Sequence, residues 1–160
     1  MFLKNYLEQF GDKKIKLFVD MDGVIADYDV GVPSGYDKKR PLYTSLDKLK
    51  VISKMNNVEL NILSVTRMSE GFHEKNKWLD RYAPFFEKEN RTILSREDNE
   101  FMSSSDLKAQ YLEKIERDDG VIVVIDDDPL ILNKIGNTSK DIYRLKDTAL
   151  VDWEFWDLDI

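Results

Sequence analysis

The apolar and polar positions of this chain follow two alternating periods. Apolar residues recur at helical spacing over 2–10, 46–55, 73–82 and 103–117. Short apolar runs that are typical of buried strands occupy 15–19, 59–63, 91–94 and 121–125. Helices that alternate with strands predict an α/β fold of the doubly wound, Rossmann-like kind, in which helices cover both faces of a parallel sheet.

The first and last of these strands end in carboxylates. Asp20 and Asp22 follow the first strand, and Asp126, Asp127 and Asp128 follow the last one. Because the carboxyl ends of parallel strands meet at one edge of the sheet, where such folds bind ligands, we expect these groups to converge. The strand predicted at 59–63 ends in NIL and is followed by Ser64, Val65, Thr66 and Arg67, which brings further polar groups to the same predicted edge.

Clustered carboxylates require a positive partner, since ionised carboxylates repel each other and are costly to desolvate. Asp20, Asp22 and one or more of Asp126 to Asp128 can surround a hard divalent cation with oxygen ligands. Mg²⁺ suits this set best, because it takes few carboxylates and keeps waters for a phosphate substrate. One carboxylate can then attack phosphorus, while its neighbour two residues on acts as acid and base.

Composition narrows the class of protein. The chain has 160 residues, of which 42% are hydrophobic and 34% charged, so we expect one globular domain over 1–160. Cysteine is absent, which excludes disulfides and thiolate metal sites. Neither a long apolar run nor a secretory leader is recognisable, so a cytoplasmic location without membrane contact is expected. The net charge of −7 opposes nonspecific binding to nucleic-acid phosphates.

Two motifs carry a resemblance to a known family. The sequence DMDGVIAD (20–27) resembles the first motif of the haloacid dehalogenase superfamily of phosphatases, and VIVVIDDDP (121–129) resembles its fourth. The form VDMDGVIADYD, together with EKNKWLDRY, is similar to the 5'(3')-deoxyribonucleotidases. The sequence SSSDLKAQYLEKI, followed by VIDDDP, is closer to the phosphatase domain of phage polynucleotide kinases.

The resemblance implies a role for each acid. Asp20 would be the nucleophile and Asp22 the acid and base. Mg²⁺ would be bound by Asp20, by the backbone carbonyl of Asp22, and by Asp126 or Asp127. Asp128 departs from both related groups, which usually carry Arg after the two acids, so the choice of the metal-binding acid among the three stays open.

The resemblance also implies two phosphate-binding residues. Ser64 falls at the hydroxyl of the second motif, with Thr66 as the alternative. Lys108 falls at the lysine of the third motif, as in the polynucleotide kinases, whereas the deoxyribonucleotidases would place the phosphate-holding lysine at Lys75. We favour Lys108, because its helix leads directly into the strand that ends at Asp126, and Lys75 could equally be a solvated residue.

Other polar and aromatic residues are predicted to be solvated or to have a structural role. Lys38, Lys39 and Arg40 are predicted to lie in a solvated loop, although this loop follows the nucleophile, where a substrate would approach. His73 is predicted to be exposed. Three aromatic residues near the C-terminus are expected to pack on the body of the domain: Trp153, Phe155 and Trp156.

The sequence therefore predicts a Mg²⁺-dependent phosphomonoester hydrolase that forms an aspartyl-phosphate. The segment between the first and second motifs is too short for the helical cap of the deoxyribonucleotidases, so no substantial cap domain is expected. The first-choice substrate is a nucleotide or a similar small phosphate. The alternatives are a polynucleotide-end phosphatase and a non-catalytic protein that binds phosphate or metal.

Overall fold

A parallel sheet forms the centre of the computed structural model, which describes residues 2–28 and 35–150. Within these residues the sheet has five strands: β1 (Ile15–Val19), β2 (Val58–Thr66), β3 (Arg91–Ser95), β4 (Val121–Asp126) and β5 (Tyr143–Lys146). Their order across the sheet is β3-β2-β1-β4-β5, and every neighbouring pair is parallel. This order confirms the doubly wound, Rossmann-like fold, with β1 at its centre.

Helices cover both faces of the sheet. They are α1 (Phe2–Glu8), α2 (Tyr43–Ile52), α3 (Gly71–Tyr82), α4 (Ser104–Glu113) and α5 (Pro129–Thr138). Single turns of 3-10 helix lie at Tyr36–Lys38, Lys88–Asn90, Glu97–Asn99 and Asp147–Leu150. Helices α1, α2 and α3 share one apolar core with the sheet, and α4 and α5 share the other.

The two cores follow from the alternation of side chains along the strands. In β1, Leu17 and Val19 enter the core under α1 to α3, whereas Phe18 enters the core under α4 and α5. All six residues of β4 are buried. A strand that is covered on both faces shows no polar alternation, which explains the continuous apolar run VIVVI.

The predicted strands and helices are confirmed, with shifted bounds. Strand β2 continues to Thr66, so the SVT sequence belongs to the strand and not to the loop after it. Helix α4 ends at Glu113, before the predicted end. The strand that ends at Asp126 lies inside the sheet between β1 and β5 and is covered on both faces, as its continuous apolar run predicts. Helix α5 and strand β5 were not predicted.

The segment between β1 and α2 is short and packs against α3. In its described part, residues 20–28 and 35–42, the structure contains one 3-10 turn and no cap domain. Tyr36 of this turn is buried and contacts Trp78 of α3 edge to face, with ring centroids 6.1 Å apart. The C-terminal aromatic residues Trp153, Phe155 and Trp156 lie outside the described residues. None of the described helices has the length and apolar character needed to cross a membrane.

Candidate active site

The acidic residues meet where the strand order reverses. Val19 of β1 is paired with Ile125 of β4. The next residue on each chain segment, Asp20 after Val19 and Asp126 after Ile125, therefore lies beside the other. The backbone N–H of Asp20 also donates to the carbonyl of Ile125 at 3.0 Å. Because β1 is flanked by β2 on one side and β4 on the other, this is the switch point at which doubly wound sheets bind ligands.

Glycine is needed in the turn that follows Asp20. Gly23 has a φ of +78°, and its N–H donates to the carbonyl of Ala26 at 2.7 Å. A Cβ atom at this position would lie 2.3 Å from Oδ2 of Asp127. A side chain at residue 23 would therefore be strained and would displace the Asp127 carboxylate.

Lys108 bridges two carboxylates inside the protein. Its Nζ lies 2.9 Å from Oδ1 of Asp20 and 2.6 Å from Oδ2 of Asp126, and its side chain is 2% exposed. Burial acts to lower the pKa of Lys108, but the two carboxylates outweigh burial and raise the pKa above its ordinary value. Lys108 is therefore a permanent cation that positions both acids.

Three carboxylates form a group suited to a metal ion. Asp20, Asp126 and Asp127 each offer an oxygen, and these oxygens all lie within 4.8 Å of one another. Lys108 neutralises one of the three charges, so two negative charges remain. Burial is the main cause that raises the pKa of Asp20, to about 6, and burial also raises the pKa of Asp126 and of Asp127.

A hard divalent cation fits these residues. The donors are all carboxylate oxygens, which Mg²⁺ prefers, and two negative charges match its charge. Asp20, Asp126 and Asp127 would hold it. The carboxylate of Asp22 is not part of this group of three, and the contribution predicted for its backbone carbonyl stays a prediction.

Asp22 lies between two lysines. Nζ of Lys75 is 3.0 Å from Oδ2 of Asp22, and Nζ of Lys39 is 2.6 Å from Oδ1. Burial acts to raise the pKa of Asp22, but Lys75 and Lys39 together lower the pKa below its ordinary value. The two neighbouring acids of the first motif thus have different surroundings, as distinct chemical roles require.

Lys75 links Asp22 to the end of β2. Its ammonium also donates to Oγ of Ser64 at 2.7 Å and to the carbonyl of Val65 at 2.9 Å. Ser64 is fully buried, whereas the hydroxyl of Thr66 donates to the carbonyl of Met68 in the following loop. Of the two candidate hydroxyls, Ser64 is therefore the one that joins the network of site residues.

Both candidate lysines lie at the site: Lys75 contacts Asp22, and Lys108 contacts Asp20. The two lysines that the sequence offered as alternatives are therefore both present. The expectation that Lys75 could be solvated is wrong, since it is 3% exposed. The reason is its position on α3, where it shares a face with Trp78 and Leu79, which enter the core. Helical spacing from these two residues is the signal that could have identified it.

Two further residues of the site were missed. The sequence predicts that Lys39 lies in a solvated loop, whereas in the structure it contacts Asp22. Tyr28 is exposed and lines the same cavity as Asp127. This cavity of about 170 Å³ has Asp20, Asp22, Tyr28, Lys108 and Asp127 in its walls.

The other sequence candidates lie outside the group of three carboxylates. Asp128 caps α5, because its side chain accepts a hydrogen bond from the N–H of Leu130 at 2.9 Å. Asp27 forms an ion pair with Arg40. His73 is exposed, as expected. Of the three acids at the end of β4, Asp128 thus caps a helix, whereas Asp126 and Asp127 belong to the group of three carboxylates.

Comparisons with known proteins find similarity in structure. No family model matches the chain, and no curated protein matches it. Two similar structures are chains from the Pnkp1/Rnl/Hen1 RNA repair complex: one has a TM-score of 0.65 and 17% identity, and the other 0.63 and 16%. Each alignment covers 85% of this chain and 43% or 46% of the matched chain.

A third similar structure is the N-terminal part of a Bacteroides fragilis protein, containing a phosphatase domain complexed with Mg. Its TM-score is 0.56 at 16% identity, over 95% of this chain and 41% of that one. The chain shares the fold of all three structures. It spans less than half the length of each, and identities this low show the fold alone. That fold agrees with the one implied by the resemblance to the haloacid dehalogenase superfamily.

The excess negative charge of the carboxylate group predicts how Asp127→Asn changes stability. In EDTA at neutral pH the variant should melt a few degrees higher than the wild type, because one of three repelling charges is removed. With Mg²⁺ the order should reverse, since the wild type binds the ion more tightly and gains stability from it. We expect the dissociation constant for Mg²⁺ to rise at least about tenfold, as even outer-shell partners of a metal contribute this much.

The pH dependence supplies a second check of the same variant. Raised pKa values mean that the folded protein holds protons which the unfolded chain has already lost. In EDTA, the wild type should therefore lose stability as the pH rises from about 4, the ordinary pKa of a carboxyl, through about 6, the pKa of Asp20. The slope should be smaller for Asp127→Asn. Asp128→Asn is the matched control, since Asn caps helices as well as Asp. Equal Mg²⁺ titrations for all three proteins would exclude Asp127 from the metal site.

Proposed function

We propose that this protein is a Mg²⁺-dependent phosphomonoester hydrolase that works through an aspartyl-phosphate on Asp20. The observation that carries the proposal is the bridge from Lys108 to Asp20 and Asp126, because it sets one carboxylate of a metal-binding group at the switch point of the sheet. Asp22, two residues away, has a separate set of partners. A nucleophile and an acid/base with different surroundings are what the two-step hydrolysis requires.

Asp20 performs the first step. With a pKa of about 6, its carboxylate is largely ionised at neutral pH and able to attack phosphorus. The hydrogen bond from Lys108 fixes one oxygen of Asp20. When bound by the carboxylate group, Mg²⁺ supplies the positive charge that offsets the repulsion between these acids and a phosphate.

Asp22 transfers the protons. As Asp20 forms its bond to phosphorus, the bond from phosphorus to the leaving oxygen breaks, and Asp22 donates to that oxygen a proton that it takes up when the anionic substrate binds beside it. Asp22 then takes a proton from a water molecule, which attacks phosphorus and releases Asp20. The lysines beside Asp22 stabilise its ionised form between these two transfers.

We assign the phosphoryl oxygens to Ser64 and Lys108 and give Lys75 the role of positioning Ser64 and Asp22. Lys75 connects Ser64 to Asp22, and Lys108 contacts the nucleophile, so the two ammonium groups lie on either side of the reacting carboxylates. Charge-assisted hydrogen bonds of this kind are about twice as strong as neutral ones. They would hold the transferring group between nucleophile and acid.

The substrate we favour is a nucleotide or a similar small phosphate. The net charge of −7 opposes a long nucleic acid. A polynucleotide end is the second candidate, favoured by the short segment between β1 and α2 and by the likeness in fold to chains of an RNA repair complex. A non-catalytic phosphate-binding protein is the third, and it should show no Mg²⁺-dependent hydrolysis of p-nitrophenyl phosphate.

Asp20→Asn tests the nucleophile. The amide is nearly the same size as the carboxylate but cannot attack phosphorus, so kcat should fall by about a thousandfold or more, as is common for a residue that acts within a catalytic unit. The fold should persist, measured as an unchanged circular dichroism spectrum. Asp27→Asn, which alters an ion pair outside the carboxylate group, is the control and should keep wild-type turnover. Retention of more than about a tenth of the activity by Asp20→Asn would refute the aspartyl-phosphate.

The relative importance of the two lysines can be measured with Lys108→Met and Lys75→Met. We expect Lys108→Met to lower kcat/KM by about a hundredfold or more, since it leaves two buried carboxylates without their partner. Lys75→Met should lose less, because Asp22 keeps Lys39. Lys48→Met is the matched control: Lys48 is buried, and its ammonium donates to the carbonyl of Leu150 at 2.7 Å. A larger loss for Lys75→Met would show that Lys75 is the main phosphate-holding lysine.

A further inference from the structure

Lys39 differs from the other two lysines of the site in its exposure and its free donors. Its side chain is 24% exposed, compared with 4% for Lys75 and 2% for Lys108. An ammonium has three N–H donors. Lys75 uses three, on Asp22, Ser64 and Val65. Among the described residues Lys39 donates only to Oδ1 of Asp22, so two of its donors are left for a ligand or water.

The backbone of Lys39 is held in place. Its carbonyl accepts a hydrogen bond from Nε1 of Trp78 at 2.9 Å, and its N–H donates to the carbonyl of Tyr36 at 3.0 Å. On the next residue, the carbonyl of Arg40 accepts from the N–H of Asp27 at 2.9 Å. A lysine that only solvated a loop would need no such anchoring, whereas a binding residue gains from a fixed starting point.

Lys39 also borders the place where the leaving group must lie. In the proposed mechanism Asp22 donates its proton to the leaving oxygen, and Nζ of Lys39 is 2.6 Å from an oxygen of Asp22. The same ammonium lies 4.7 Å from the ring centroid of Tyr36 and 6.0 Å from that of Tyr28. Beside the carboxylate of Asp22 there is thus a partly exposed cation with two aromatic rings near it.

Resting on the proposed function, we propose that Lys39 is a specificity-determining residue that binds a second phosphate, carried on the leaving group of the substrate. A compact ammonium with unused donors suits phosphate oxygens as a point charge. A second phosphate beside Asp22 needs such a cation, because the phosphate and the ionised carboxylate repel each other. A nucleoside bisphosphate and the phosphorylated end of a strand both carry this second phosphate.

A different role for Lys39 predicts a different result. If Lys39 served only to balance the charge of Asp22, its loss would affect the hydrolysis of every phosphomonoester by the same factor, since each passes through the same proton transfer. If Lys39 binds a second phosphate, its loss acts only on substrates that carry one. The comparison between substrates, rather than the loss itself, therefore separates the two roles.

The experiment measures kcat/KM for Lys39→Gln on three substrates: a nucleoside 5'-monophosphate, the matching nucleoside 3',5'-bisphosphate and a phosphorylated oligonucleotide. We expect the loss on at least one of the two substrates with a second phosphate to exceed the loss on the monophosphate by about tenfold or more, the worth of one hydrogen bond between charged groups. Lys38→Gln, which removes a neighbouring exposed charge, is the matched control. It should change kcat/KM by the same factor for all three substrates. A selective loss on the bisphosphate alone identifies a small substrate, and a selective loss on the oligonucleotide alone identifies a strand end.

Equal losses on all three substrates, or no loss, would overturn the role of Lys39. Binding to the Asp20→Asn protein, measured by calorimetry with the same bisphosphate and monophosphate, gives a readout that does not depend on turnover. Tighter binding of the bisphosphate should be lost when Lys39→Gln is added. If the wild type hydrolysed none of the esters but this binding difference persisted, the proposed function would fail while the phosphate-binding role of Lys39 stood. Equal affinities for the bisphosphate and the monophosphate would show that Lys39 does not bind a second phosphate.

Discussion

The ion pairs of Lys108 are the interaction on which the rest of the site depends. Two carboxylates at the ends of neighbouring strands, Asp20 and Asp126, are almost fully removed from water. Buried charges of one sign are tolerated only when a partner of the other sign is close and well oriented. Lys108 balances the charge of one of these two carboxylates. The nearby carboxylate of Asp127 adds a further negative charge. A bound cation would balance the remaining charge, which is the physical basis for expecting Mg²⁺.

The fold explains why these groups converge. A parallel sheet brings the carboxyl ends of its strands to one edge, and the reversal of strand order on either side of β1 leaves room there for a ligand. Each face then contributes one lysine: α4 supplies Lys108 from one side of the sheet, and α3 supplies Lys75 from the other. The short segment after β1 adds Lys39. Three cations thus approach the acids from three separate elements.

Local signals made much of this predictable. The acids of both motifs, the first four helices, the first four strands and the fold class follow from apolar periodicity and from carboxylates at strand ends. Helix α5 also had a usable signal, since Asp128 and Pro129 form an N-cap and a first helical residue. Strand β5 had none: it is four residues long, lies at the edge of the sheet and is largely exposed.

The lysines of the site show where sequence reasoning ends. The place of Lys108 came from a motif, but the burial of Lys75 depends on which face of α3 meets the sheet. Lys39 reaches Asp22 because Trp78, far along the chain, binds its carbonyl and Tyr36 packs on the same helix. No local pattern encodes a contact between segments so distant in sequence. The loop looked solvated because its charges are visible in the sequence and its anchors are not.

The central claim is that Asp20 becomes phosphorylated during turnover. The most direct measurement is rapid acid quenching of the wild-type protein during hydrolysis of a phosphomonoester in Mg²⁺, followed by peptide mapping of the phosphorylated carboxylate by mass spectrometry. We expect a phosphoryl group on the peptide that contains Asp20, attached to Asp20 itself, and none when EDTA replaces Mg²⁺. Steady hydrolysis with the phosphoryl group on another residue would contradict the account.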